Sequence, residues 1–219
     1  MIRTPELIDV LAGELKPVRR LRSPIFRAAC WALVAAGVVI LLAVSQGVRA
    51  DLAQRLSDSS FALALGGAAA TAICAAAAAF ALAVPGRSRL WALLPAPPLL
   101  LWLAAVGRQC LTHWVRYDAG AMMMGDTARC FATVVLTSLP LWLLMLLMLR
   151  RSGAVRRVLP TLAGSLAVAA TAGVAMDLLH ALDASAMILL WNFGTGTAIM
   201  LIAALFGRTM PMSSLSLPR

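Results

Sequence analysis

The stretch ALALGGAAATAICAAAAAFALA, residues 62–83, contains no charged side chain. About 20 apolar residues are enough for a helix to cross the hydrocarbon core of a bilayer. Because lipid offers the backbone no hydrogen-bond partner, such a stretch is expected to form a membrane-spanning helix. Its many alanines and glycines would let neighbouring helices approach closely, and LAGSLAVAATAGVA, residues 162–175, has the same character.

Six apolar segments of about this length occur along the chain, and we expect each to be a helix. They cover residues 28–48, 61–84, 90–106, 131–149, 158–179 and 184–206. Only 13% of the residues are charged, against about 25% in soluble domains. The predicted fold is an all-α integral membrane protein, a six-transmembrane-helix bundle with a short cytoplasmic amphipathic N-terminal helix. The predicted divisions are an N-terminal segment (1–27), a membrane domain (28–206) and a C-terminal tail (207–219).

Prolines mark the third and fourth segments, at Pro95, Pro97, Pro98 and Pro140. A proline inside a helix removes a backbone donor and usually bends the helix. We therefore expect these two spans to be kinked.

The net charge of +10 does not indicate a nucleic-acid-binding module, because the arginines are scattered over many short loops. We expect no direct contact with nucleic acid. If the N-terminus is cytoplasmic, only five of the 19 basic residues fall on the outer side: Arg49, Arg55, Arg108, Arg116 and Arg129. Positive charge accumulates on cytoplasmic loops, so both termini are predicted to be cytoplasmic.

The N-terminal segment is predicted to begin with an amphipathic helix. Thr4 and Pro5 are a favourable helix start, and Pro17 should end the helix near Lys16. Its apolar face, with its extension beyond Pro17, consists of Leu7, Ile8, Val10, Leu11, Leu15, Val18 and Leu21.

Two interpretations of this helix remain open. It could lie on the inner leaflet, with basic residues at lipid phosphates; these are Arg19, Arg20, Arg22 and Arg27. Alternatively, it could place its apolar face in the groove of a partner protein. Glu6, Asp9 and Glu14 fit an anionic membrane surface poorly, which favours the partner.

Thiols, imidazoles and carboxylates gather near the outer ends of the spans. Cys110 and Cys130 fall there on the third and fourth spans, where an oxidising compartment would permit a disulfide. Asp177 and His180, three residues apart, share one face of the fifth helix. Because metal-ligand spacings such as CxxC and HxxxH are missing, and so are catalytic motifs, we expect neither an enzyme nor a bound metal or cofactor.

Several stretches together resemble the NrsF-type membrane anti-sigma factors, which are negative regulators of extracytoplasmic-function sigma factors. They are LIDVLAGELKPVRRLRSP (7–24), VPGRSR (84–89), GDTARCFATVVLTSLP (125–140), LRRSGAVRR (149–157) and DLLHALD (177–183). The resemblance implies a bacterial inner-membrane protein whose N-terminal segment holds a sigma factor away from RNA polymerase until envelope, heavy-metal or oxidative stress releases it.

The resemblance also implies roles for particular residues. The apolar face defined above, together with Arg19 and Arg20, would bind the sigma factor, and Cys130 matches a sensing cysteine of the family. A second family cysteine usually follows the histidine at the end of the fifth span, where this chain has Ala181. Cys110 could take its place as partner, or the signal could differ, and His180 and Asp177 complete the predicted sensing group.

Two other functions remain as alternatives. Asp177 with His180, together with the proline-containing spans, would also suit a small six-helix transporter, because acidic residues within membranes often have functional roles. The alanine- and glycine-rich faces would also suit a structural subunit of a membrane complex.

Overall fold

The computed structural model describes residue 13 and residues 22–113, 124–150 and 158–179, with no side-chain description for residues 109–113 and 124–131. Regular structure in this part of the chain is helical throughout. It consists of α1 (Pro24–Gln46), α2 (Leu52–Leu56), α3 (Ser59–Leu82), a 3₁₀ helix (Arg89–Leu93), α4 (Ala96–His113), α5 (Met124–Arg150) and α6 (Val158–Leu179).

Within the described residues, five helical stretches are long and apolar enough to cross a membrane. They are Pro24–Gln46, Ser59–Leu82, Arg89–Arg108, Ala132–Arg150 and Val158–Leu179. The first five predicted segments are therefore confirmed as helical. The predicted sixth span, 184–206, lies outside the described residues, as does the predicted N-terminal helix apart from Gly13.

The first span begins at Pro24, earlier than the apolar run suggested. Ser23 caps it, since its hydroxyl oxygen accepts a hydrogen bond from the Phe26 N–H at 3.3 Å, and Pro24 occupies the first turn. Both are favourable at the start of a helix. At the other end, Gly47 has a φ of 84°, which glycine adopts without steric cost.

The prolines of the third span correct our expectation of a kink there. Pro95 precedes α4, and Pro97 and Pro98 lie in its first turn. Backbone N–H groups in the first turn have no partner within the helix, so proline removes nothing there. Pro95 therefore lies between the 3₁₀ helix and α4, and Pro97 and Pro98 open α4, whereas Pro140 does lie inside α5.

The alanine-rich helices α3 and α6 form the central pair of the bundle. Helix α4 packs against α3, α5 packs against α6, and α1 contacts α3, α5 and α6. About half of α3 and α6 is buried, compared with less than a third of the other three spans. The expectation that the small residues serve packing is confirmed.

Trp102 of α4 shows how close this packing is. A Cβ atom added to Gly67 of α3 would lie 3.0 Å from the Trp102 Cα, and one added to Gly173 of α6 would lie 2.8 Å from the Trp102 Cζ2. The backbone of Trp102 therefore depends on Gly67 of α3 and its indole depends on Gly173 of α6. A second cluster, around Trp31 and Phe80, fills the other half of the bundle.

Candidate functional site

Two buried arginines lie at opposite ends of α1. Arg27 lies in the first turn of α1, and Arg49 lies three residues beyond the end of α1. Each of the two residues is only 8% exposed. Burial of a charge is costly unless the charge finds partners. Those partners define two polar sites, which we call the Arg27 end and the Arg49 end of the bundle.

At the Arg27 end, the guanidinium contacts two other helices. Its Nη2 donates a hydrogen bond to the Met148 carbonyl in α5, and its Cζ lies 4.8 Å from the centre of the Phe80 ring in α3. Carbonyls in the last turn of a helix lack an intrahelical partner and favour a nearby cation. This corrects the placement of Arg27 at lipid phosphates, because its side chain is inside the bundle.

At the Arg49 end, the guanidinium forms a two-pronged ion pair with Asp51. The Nε atom lies 2.7 Å from Oδ1 and Nη2 lies 2.9 Å from Oδ2. The Arg49 Cζ also lies 5.6 Å from the centre of the Phe61 ring, and the Arg49 backbone N–H donates to the Leu178 carbonyl at 3.2 Å. These contacts join the α1–α3 connection to the last described turn of α6.

Asp51 is strongly acidic in this setting. Hydrogen bonds from the Arg49 side chain, together with its positive charge, lower the pKa of Asp51 to about 2. Arg55 adds a second cation, with its Nε 3.5 Å from Asp51 Oδ2. Nearby, hydrogen bonds from Ser60 lower the pKa of Asp58. Both carboxylates therefore remain ionised at neutral pH.

We expect Asp51→Asn to lower the melting temperature of the purified protein, because it removes the ion pair with Arg49. The folded pKa of Asp51 lies below its unfolded value, so its contribution is present above about pH 4 and lost as the pH falls through about 2. Melting curves of wild type and variant should differ equally at about pH 7 and about pH 5. A difference that disappears between those two values would contradict the assignment.

Of the four predicted sensing residues, Asp177 is the one whose side chain is described. It lies half-buried in the last turn of α6, next to Leu178, and the charge of Arg49 acts on it. His180 lies outside the described residues. Cys110 and Cys130 lie within α4 and α5, but their side chains are outside the described part of the chain.

A further contact lies one helical turn from Cys130. The buried Thr133 Oγ1 donates a hydrogen bond to Gln46 Oε1, at the end of α1, at 2.9 Å. The backbone of α5 thus carries Cys130 close to the junction of α1 and α5. Where side chains are described, no three His, Cys, Asp or Glu residues are grouped to hold a metal ion.

The predicted partner-binding residues lie outside the described residues. These are Leu7, Ile8, Val10, Leu11, Leu15, Val18, Arg19, Arg20 and Leu21. The description resumes at Arg22, whose Cζ lies 4.9 Å from the centre of the Phe26 ring. The N-terminal segment therefore leads directly into α1 and the buried Arg27.

Sequence reasoning missed the structural roles of Arg27 and Arg49. One feature of the sequence could have predicted the ion pair of Arg49: Asp51 lies two residues later, and both residues directly follow an apolar span. Arg27 had none, because a basic residue at the end of a span is usually an orientation signal. The partners of Arg27 come from distant helices, whereas the ion-pair partner of Arg49 lies two residues away and its other contacts lie on α3 and α6.

Comparison with known proteins supplies the family. A search of curated proteins and a search of solved structures each gave no match. A family model described as the negative regulator of sigma F, NrsF, matches residues 11–210, nearly the whole chain. The protein belongs to the NrsF family, the negative regulators of sigma F.

Proposed function

We propose that this protein is a membrane-embedded anti-sigma factor of the bacterial inner membrane. It holds an extracytoplasmic-function sigma factor through its cytoplasmic N-terminal segment and releases it under envelope, heavy-metal or oxidative stress. The family match carries this proposal, because the family is regulatory and acts on a sigma factor. The five helices able to cross a membrane support the tethering.

Binding would use the apolar face of the N-terminal helix. A helix of this kind binds by laying residues three and four apart in a partner's groove. Each buried leucine or isoleucine contributes about 1.5–3 kcal/mol, offset by the costs of ordering and association. Residues 17–23 separate this helix from α1, and an extended chain of that length spans at most about 25 Å. A bound sigma factor would thus stay beside the membrane.

Sensing would occur at the opposite face. In the predicted orientation, the Arg49 end is outside the cytoplasm, together with Cys130, Cys110, Asp177 and His180. Oxidation or soft-metal binding at a cysteine thiolate is a chemically suitable input. The hydrogen bond from the Arg49 backbone N–H to the carbonyl of Leu178, the residue after Asp177, supports a role for this end of the bundle.

We expect Leu7→Asp combined with Leu11→Asp to abolish retention of the sigma factor. Two buried leucines contribute about 3–6 kcal/mol, so the affinity should fall at least about 100-fold. The measurement is affinity purification of the full-length protein in mild detergent, with mass spectrometry of what copurifies. Repression of the matching promoter should be lost at the same time.

The polar face of the same helix provides the matched control. Glu6→Gln combined with Lys16→Gln changes two charges but leaves every apolar contact residue in place. This control should retain the sigma factor. Full retention by the leucine double variant, at an unchanged level of protein in the membrane, would refute the proposed binding mode.

The transporter alternative gains no support from the described residues. Their buried polar side chains are two arginines and four threonines. The hydroxyls of Thr71, Thr137 and Thr171 donate to the carbonyl four residues earlier in their own helices. A transport route would instead use polar groups that face a water-filled cavity.

A further inference from the structure

Side-chain hydrogen bonds among the described residues join α1 to α5 along the length of the bundle. The Arg27 Nη2 donates to the Met148 carbonyl, the Trp31 Nε1 donates to the Leu141 carbonyl at 3.4 Å, and Thr133 Oγ1 donates to Gln46 Oε1 at 2.9 Å. We call this set the α1–α5 ladder. Its rungs run in order from one end of the antiparallel pair to the other.

The ladder matters because α1 is a peripheral helix. Large apolar side chains such as Leu33, Ile40, Leu41 and Val44 are exposed on it, as expected of a surface that faces lipid. In lipid no hydrophobic driving force holds two apolar helix faces together, so their association depends on van der Waals packing and on interhelical hydrogen bonds. Hydrogen bonds between helices therefore have a large share in deciding whether α1 stays on α5.

One end of the α1–α5 ladder lies near Cys130, the proposed sensing residue, and the other lies near the N-terminal segment, which is proposed to bind the sigma factor. The Gln46–Thr133 rung lies one helical turn from Cys130 in α5. The Arg27 rung lies in the first turn of α1, which the N-terminal segment enters through Ser23. Helix α1 is continuous between them, so a shift at one end moves the other.

We infer that the α1–α5 ladder holds the sigma-retaining state and couples the Cys130 side of the bundle to the N-terminal segment. This inference rests on the proposed function and concerns its regulation. A rearrangement of α5 near Cys130 breaks the hydrogen bond between Gln46 and Thr133, which allows α1 to shift. The shift of α1 moves the N-terminal segment, which then releases the sigma factor.

The test removes the Gln46–Thr133 rung from either side. In unstimulated cells, Thr133→Val should raise transcription from the promoter of the copurifying sigma factor roughly three- to twentyfold, the range expected for one interhelical hydrogen bond in a membrane. Gln46→Leu should give a similar rise. The double variant should give no more than either single variant, because both remove the same bond.

Two neighbouring residues serve as matched controls. Thr137 is equally buried on α5 but donates to the Thr133 carbonyl, and Ser45 donates to the Leu42 carbonyl within α1. Thr137→Val and Ser45→Ala should leave transcription unchanged. Thr133→Ser, which keeps the hydroxyl, should behave like the wild type.

The amount of sigma factor per full-length chain, measured after purification, corrects for any loss of protein level. Equal retention by Thr133→Val and Thr137→Val would overturn the inference while leaving the proposed function intact. Additive effects of Thr133→Val and Gln46→Leu would also overturn it. Failure of the proposed function gives a distinct result, in which the wild-type chain itself retains no sigma factor and the inference falls with it.

Discussion

Replacing Gly67 with valine is expected to lower the free energy of unfolding by about 3 kcal/mol, the upper part of the range for overpacked cores. A Cβ at this position would lie 3.0 Å from both the N and the Cα of Trp102. Backbone atoms cannot rotate away as a side chain can, so α3 and α4 would have to separate. The measurement is denaturant unfolding of the purified protein in detergent.

The neighbouring glycine is a matched control for this change. Gly66 is exposed on the same helix, and a Cβ added there meets no atom within 4 Å. Gly66→Val changes composition and helix propensity in the same way, without steric conflict. Equal stabilities of the two valine variants would show that α3 and α4 do not approach closely at Trp102.

The other close glycines extend the same reasoning. A Cβ at Gly173 would lie 2.8 Å from the rigid Trp102 ring, whereas one at Gly164 would lie 2.8 Å from the Cγ of Met145. Methionine is flexible and can adopt another rotamer. Alanine should therefore be tolerated better at position 164 than at position 173.

Replacing Arg27 with alanine should destabilise the bundle by about 2–4 kcal/mol, the combined size of a charged hydrogen bond and a desolvated cation–π contact. The change leaves the Met148 carbonyl without its guanidinium donor and removes the cation over the Phe80 ring. Denaturant unfolding in detergent measures the loss directly.

Arg22→Ala is the control for Arg27. Arg22 also has its Cζ over an aromatic ring, that of Phe26, at 4.9 Å, but it is exposed. Contacts at exposed sites contribute about 0.5–1 kcal/mol, so this variant should remain close to the wild type. If both alanine variants unfolded alike, burial of Arg27 would have no energetic consequence.

Rules that use only neighbouring residues predicted the positions of the described helices with few errors. The five spans follow from the length of apolar runs, which is a property of adjacent residues. The start of α1 at Pro24 was also present in the sequence as a serine followed by proline, although hydrophobicity alone placed it later. Pro97 and Pro98 were misread because a proline either opens or bends a helix, depending on where the helix begins.

Long-range contacts could not be predicted in the same way. Trp102 lies between Gly67 and Gly173, and Arg27 reaches Phe80 and Met148, across separations of many residues. Such contacts depend on which helices are neighbours and on how each is rotated about its axis. Several faces of α3 and α6 are equally rich in alanine, so composition does not select one.

The sequence by itself determined that this chain is a set of apolar helices, because each span needs only its own residues to satisfy its backbone in lipid. It also suggested the NrsF family, which the family match established. Only the tertiary structure decided that Arg27 and Arg49 are buried anchors at the two ends of α1 and that Gln46 meets Thr133. The Arg27 guanidinium and the buried Thr133 hydroxyl find their partners on other helices, and only packing brings those helices together.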